Sequence, residues 1–332
     1  MMRRAYLMIM LCILTPAFAR GQADPAAAAL QRLGRGVNVL GYDPIWADPV
    51  KGQFRMEFFK RIRAGGFQHV RVNLHAFAHL NEENQLDPGW LLTLDGVIKA
   101  ATRVGLQVIL DEHDYLLCGK TPDNCRIKLL AVWEQLSTRY ADAPDSVLFE
   151  ILNEPSEKLT PELWNVLLVE PLAVIRRTNP ARTVIIGPGQ YSNFHALDTL
   201  VLPADDANII VTVHYYDPFR FTHQGSNWTH PSREHDIGIP WGTAQEREQV
   251  ERDLAGIATW SRDHGRPVLL GEFGAFDKAD MASRVAWTST VARAAETHGL
   301  PWSYWQFEGT FGVFDIQADA WVEPIHRALV PQ

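Results

Sequence analysis

Short apolar runs, each closed by polar or aromatic residues and followed by an amphipathic stretch, recur along this chain from residue 36 to 330. The runs are 36–41, 69–74, 107–113, 147–155, 183–187, 209–216, 267–274 and 301–307. Between and after them, helical periodicity covers 54–64, 90–104, 127–140, 161–177 (with Pro161 as a first helical residue), a short piece at 194–200, then 243–264, 280–298 and 320–329. Runs this apolar read as strands buried on both faces, and strand-helix alternation predicts a parallel sheet. Eight such units in about 300 residues predict an α/β fold of the closed (β/α)8 TIM-barrel type, a single domain over 36–330. A doubly wound open sheet is the alternative. Against it, no Gly-x-Gly-x-x-Gly turn follows the first strand, and polar residues end nearly every strand.

The ends and loops add detail. Residues 1–19 carry Arg3 and Arg4, an apolar run from Ala5 to Leu14 and a terminal Ala17-Phe18-Ala19, the form of a cleavable export signal. That run is shorter than the roughly 20 apolar residues that span a bilayer. A secreted or periplasmic protein, free of the membrane after cleavage, is therefore expected. Residues 20–35 read as a leader of undecided helix content. The formal net charge of −8 gives no reason to expect a nucleic-acid partner. A monomer is expected, with no linker leading to an appended sugar-binding module. After export, Cys118 and Cys125, seven positions apart, read as a disulfide across a Gly/Pro/Asn loop, with two free thiols as the alternative. The longest irregular segment, 217–242, holds Phe219, Phe221, Trp228 and Trp241, and loops of that length in compact domains are usually functional.

A barrel brings all its strand ends to one cleft, so distant residues converge there. They are Arg71 and Asn73, then Asp111, His113 and Asp114, then Asn153 and Glu154, then His214 and Tyr216, Glu272 and Trp305. Two carboxylates in such a cleft suit glycoside hydrolysis, where one protonates the leaving oxygen and the other attacks the anomeric carbon or activates water. Glu154, at the end of an apolar strand, is expected to be held protonated by partial desolvation. Glu272, with Arg71 and a tyrosine such as Tyr216 nearby, is expected to be ionised and nucleophilic. No metal or cofactor is expected: Asp111-Glu-His-Asp114 lacks a second cluster of ligands. Trp46, Trp228 and Trp241 lie just after strands or in loops, where each is either a platform for a sugar ring or a cap on the core.

Arg71, His113, Asn153-Glu154-Pro155, His214-x-Tyr216, Gly271-Glu272-Phe273-Gly274 and Trp305, in that order, resemble the signature of glycoside hydrolase family 5, the cellulase family of the retaining clan A barrels. The resemblance covers roughly residues 36–329. It implies double displacement with Glu154 as acid/base and Glu272 as nucleophile. It further implies that Asn153 binds the sugar 2-hydroxyl, that Arg71 and Tyr216 support the nucleophile, that His113 and His214 shape subsite −1, and that Trp305 forms its floor. An endo-acting β-1,4-glucanase on a β-glucan chain is the expected function. β-Mannanase, xyloglucanase, lichenase and exo-β-1,3-glucosidase are alternatives of the same chemistry, and a non-catalytic sugar-binding barrel or a metal-dependent hydrolase are alternatives of another.

Overall fold

The computed structural model describes residues 25–331 apart from His230, so the expected export signal lies outside the described residues. Eight parallel strands pair in sequence order: β1 (Arg35–Val39), β2 (His69–Asn73), β3 (Gln107–Asp111), β4 (Val147–Glu150), β5 (Val184–Ile186), β6 (Ile209–His214), β7 (Val268–Phe273) and β8 (Trp302–Tyr304). β1 pairs with both β2 and β8, which closes the barrel. The strand runs expected at 147–155 and 301–307 are shorter here, because the chain leaves the ladder as soon as it reaches the cleft.

The strands are less uniformly apolar than their runs suggest, since their side chains alternate between two environments. Val70 and Val72, Val108 and Leu110, and Val147 and Phe149 join the large core between sheet and helices. The alternate positions point into the barrel. At its lower end Ile109, Leu148, Ile185, Ile210 and Leu269 form a separate apolar cluster, and higher up the same rows carry Arg71, Asp111 and Glu150.

The lower cluster is completed by Ala26, Ala29, Leu30 and Leu33. These residues follow the i, i+3, i+4, i+7 spacing of one helical face, and Pro25–Leu33 is a helix that plugs the bottom of the barrel. The segment expected as a leader ahead of residue 36 thus contributes core, and β1 begins at Arg35.

Helices cover the outside. The longest, Ala244–His264, starts with a capping box in which Thr243 and Glu246 satisfy each other's backbone N–H, and it stops at Gly265 with φ 60°. The helix expected over 161–177 is two helices meeting at Leu168, and the final unit opens with a two-residue strand, Ala320–Trp321, paired antiparallel to Phe314–Asp315. Cys118 and Cys125 are bonded, with Cα atoms 4.7 Å apart. They join helix Tyr115–Lys120 to helix Pro122–Arg139, so the bridge staples two helices where a loop was expected.

Candidate active site

The upper end of the barrel is built around one buried cation. Arg71, fully buried on β2, uses all five of its N–H groups. Nε and Nη2 donate to the two oxygens of Glu150 at 2.7 and 2.8 Å. Nη1 donates to Asn38 Oδ1 at 2.9 Å and to Glu272 Oε1 at 2.7 Å, and Nη2 also reaches Asn153 Oδ1 at 2.9 Å. A planar guanidinium thus ties β1, β4 and β7 to β2. Neither Glu150 nor Asn38 is in the set expected from sequence. The signal was there: each is a polar residue inside an apolar strand run, and a charge buried in such a strand must be paired.

Glu154 and Glu272 meet across the cleft. With His214 they form a trio whose nearest carboxylate oxygens and ring nitrogen all lie within 4.8 Å of one another. That spacing fits the roughly 5–5.5 Å of double displacement and falls well short of the roughly 6.5–9.5 Å that leaves room for water in inversion. His214 Nδ1 is 2.7 Å from Glu154 Oε1 and 3.6 Å from Glu272 Oε2. A register shift between β6 and β7 after Val213 sets His214 directly opposite Glu272. Glu272 Oε2 also accepts the Tyr216 hydroxyl at 2.9 Å. The glycines beside Glu272 permit this close packing: a methyl on Gly271 would stand 2.3 Å from Thr212 Oγ1, and one on Gly274 2.2 Å from the Trp305 carbonyl oxygen. Glu154 has φ 43°, a left-handed backbone uncommon outside glycine, and Tyr191 N donates to the next carbonyl, Pro155 O, at 3.1 Å.

Burial dominates the electrostatics. It pushes Glu154 up to about 8, opposed by Arg71 and aided by Asp111 and Glu150. Glu272 is pushed up to about 7, again by burial first, with His214 and Arg71 pulling it back, Glu154 raising it and the Tyr216 hydroxyl lowering it. The expected partners, Arg71 and Tyr216, are present and do favour the ionised form of Glu272, but desolvation outweighs them. The order survives, with Glu272 the stronger acid of the pair. His214 and His113 are both lowered by burial and are neutral at pH 7.

The sequence matches the family profile of the cellulases, glycosyl hydrolase family 5, over residues 30–310. The chain belongs to glycosyl hydrolase family 5. It is 30% identical to Endoglucanase H of Acetivibrio thermocellus over 312 residues, spanning 91% of this chain and 32% of that protein. Endoglucanase 3 of Fibrobacter succinogenes is 26% identical, with 53% of its length covered, so the chain spans about a third to a half of these curated relatives. Among solved structures, Thermotoga maritima Cel5A in complex with cellobiose superposes with a TM-score of 0.87 at 36% identity, covering 92% of this chain and all of that one.

In this family 5 chain the other expected residues fall into two groups. His113 and Trp305 belong to the cleft: their rings are parallel to within 6° at 5.6 Å, and His113 Nδ1 is held 2.5 Å from Asp111 Oδ2. The neutral ring then presents Nε2 to Asn153 Nδ2 at 3.4 Å. Tyr42, absent from the expected set, stands edge-on to Trp305 with centroids 6.4 Å apart and an exposed ring; nothing in its sequence context marks it. Trp228 is 57% exposed and rests edge-on against Phe276, a position open to a sugar ring. Trp46 and Trp241, each 6% exposed, are buried in the core. Trp46 packs on Trp90 and donates Nε1 to Leu40 O and Asn73 O. Of the two readings left open for them, the structure gives the core cap.

Segment 217–242 is a braced wall. Gln224 exchanges two hydrogen bonds with the Ile239 backbone, and Trp287 Nε1 donates to Asp217 O at 3.0 Å. Asp111 and Asp114 do not converge on one point: Asp111 pins His113, while Asp114 accepts from Phe77 N at 2.7 Å. Among the described residues, the Glu154, His214 and Glu272 trio is spaced to hold a cation. Its fit is poor, because His214 Nδ1 already faces Glu154 and the Arg71 charge already lies against Glu272.

Proposed function

We propose that this chain is a retaining endo-β-1,4-glucanase. The observation that carries the proposal is the close approach of Glu154 and Glu272 with unlike partners. In the first step a Glu272 carboxylate oxygen attacks the anomeric carbon while Glu154 gives its proton to the glycosidic oxygen, and the leaving chain departs. In the second, the Glu154 carboxylate takes a proton from water, whose oxygen displaces Glu272 and restores the original anomer. Arg71 and Tyr216 hold both oxygens of the nucleophile; the proposed partner of the 2-hydroxyl is Asn153, and the proposed lining of the −1 position is His113, His214 and Trp305, supported by the parallel His113 and Trp305 rings. Trp228 is the proposed platform for a more distant sugar. The described residues act as one catalytic barrel, made for export and working as a monomer without metal. Among them no helix is long and apolar enough to cross a membrane.

A second substrate has a specific observation behind it. Thermotoga maritima Cel5A, 36% identical, is also solved in complex with mannotriose, so mannan belongs in any test. The deciding experiment is hydrolysis of carboxymethyl-cellulose, lichenan, xyloglucan and mannan, with product sizing and NMR of the first anomer released. A range of oligosaccharides in the β configuration is expected, undiminished by chelator. Monomer alone would overturn endo action, and an initial α-anomer would overturn retention.

A further inference from the structure

Glu150 takes no part in the chemistry described above, yet it grips with both carboxylate oxygens the residue that holds the nucleophile. Both of its oxygens accept from Arg71, from Nε at 2.7 Å and Nη2 at 2.8 Å, the two-pronged arrangement that fixes a guanidinium in plane as well as in position. The opposite edge of the same rigid plane presents Nη1 to Glu272 Oε1 at 2.7 Å. Whatever sets one edge therefore sets the other.

Glu150 is suited to that task by where it is carried. It lies on β4 in register with Asp111 of β3 and Ile185 of β5, so its backbone is held in the ladder on both sides. Its side chain is fully buried. Glu154, four residues on, stands instead on the left-handed turn beyond the strand. The acid on the rigid part of the segment is thus the one that reaches the cation, and the acid on the turn is the one that meets substrate.

We propose that Glu150 is a positioning residue of this site, gripping Arg71 so that its far edge holds Glu272 at the attacking distance. This rests on the double-displacement reading. Burial raises the Glu150 carboxyl above its ordinary range, Arg71 from β2, gripped by both of its oxygens, draws it back toward the ionised form, Asp111 from β3 and His214 from β6 also act on it, and its charge in turn acts on Glu154. Arg71 is shared among Glu150, Asp111 and Glu272, so each acid draws on a cation the others also use. Neutralising Glu150 leaves more of that cation to Glu272 and favours its ionised form.

The test uses an activated 2-deoxy-2-fluoro-cellobioside, whose leaving group needs no acid, so the rate of covalent trapping reads the nucleophile alone. In Glu150→Gln, trapping is expected to slow by about 10²-fold, the scale of a misplacement near 1 Å. The acid limb of its pH profile is expected to move down by about one unit. Glu150→Asp keeps the charge but loses reach. It should slow by about tenfold or more, with the acid limb unmoved. Trapping of Glu150→Gln at the wild-type rate, or slowed trapping with an unshifted limb, overturns the proposal. If Glu150→Gln fails to fold, wild-type trapping by Glu150→Asp overturns it alone. Failure of the wild-type protein to be labelled on Glu272 would instead strike the functional reading.

Discussion

Replacing Glu154 with Gln should make the protein more stable at alkaline pH while destroying its activity. The wild-type side chain is largely but not fully buried and its carboxyl titrates near 8, against 4.5 for an ordinary glutamate. Between those values the unfolded chain has released the proton and the folded chain still holds it, so wild-type stability falls as pH rises through the window. The effect is absent below about 4.5 and complete above about 8. At about 1.4 kcal/mol per unit, the ceiling is roughly 4–5 kcal/mol. Sharing of protons with Glu272 and the 14% exposure of the Glu154 side chain reduce it, and about 2–3 kcal/mol is expected. Glutamine has no such titration, fits the same space and can still partner His214 Nδ1. Urea unfolding of both proteins at pH 4.5, 7 and 9 measures the difference. The gap between variant and wild type should widen toward pH 9. A gap independent of pH would refute the claim that burial holds this carboxyl protonated.

The same pair of acids predicts a bell-shaped kcat/KM profile with both limbs above the ordinary carboxylate range, the acid limb from Glu272 and the alkaline limb from Glu154; an acid limb near 4.5 would contradict the burial of Glu272. Leu33→Ala in the plug helix should cost about 2–5 kcal/mol in denaturant unfolding, because Leu33 is fully buried against the lower barrel cluster. Replacing Cys118 and Cys125 together with Ser should lower stability by about 2–3 kcal/mol, read as a drop in the urea midpoint. Trp228→Ala should raise KM on polymer and leave stability within about 0.5 kcal/mol, whereas Trp46→Ala should destabilise by about 3–5 kcal/mol because its ring is core.

The strand-helix rhythm was legible because apolar periodicity is a local property, and eight units bound the topology before any contact is known. The cleft was legible for a related reason: once the strands are parallel and the barrel closes, Arg71, His113, Asn153, Glu154, His214, Tyr216, Glu272 and Trp305 must share one end. What the local pattern did not carry is depth. Trp46 ends a single 3-10 turn and Trp241 sits in a loop, both folded back onto the core, and nothing in their neighbours separates that from exposure, whereas Trp228 keeps its ring in solvent. The helix at Pro25–Leu33 has a clear apolar face, but only the open lower end of the barrel gives that face something to cover.

Sequence alone therefore determined the fold class, the pair of glutamates and the order of residues around the mouth, since each follows from residue types at strand ends. The tertiary structure decided which charges touch and at what cost. Arg71 and Glu272 are 201 positions apart, and Glu150 reaches the same guanidinium from 79. Their contact exists only because the barrel closes and removes water from around them. The same closure lifts the carboxyls of Glu154 and Glu272 out of their ordinary range, a property that depends on what surrounds a side chain in space rather than on what precedes it in the chain.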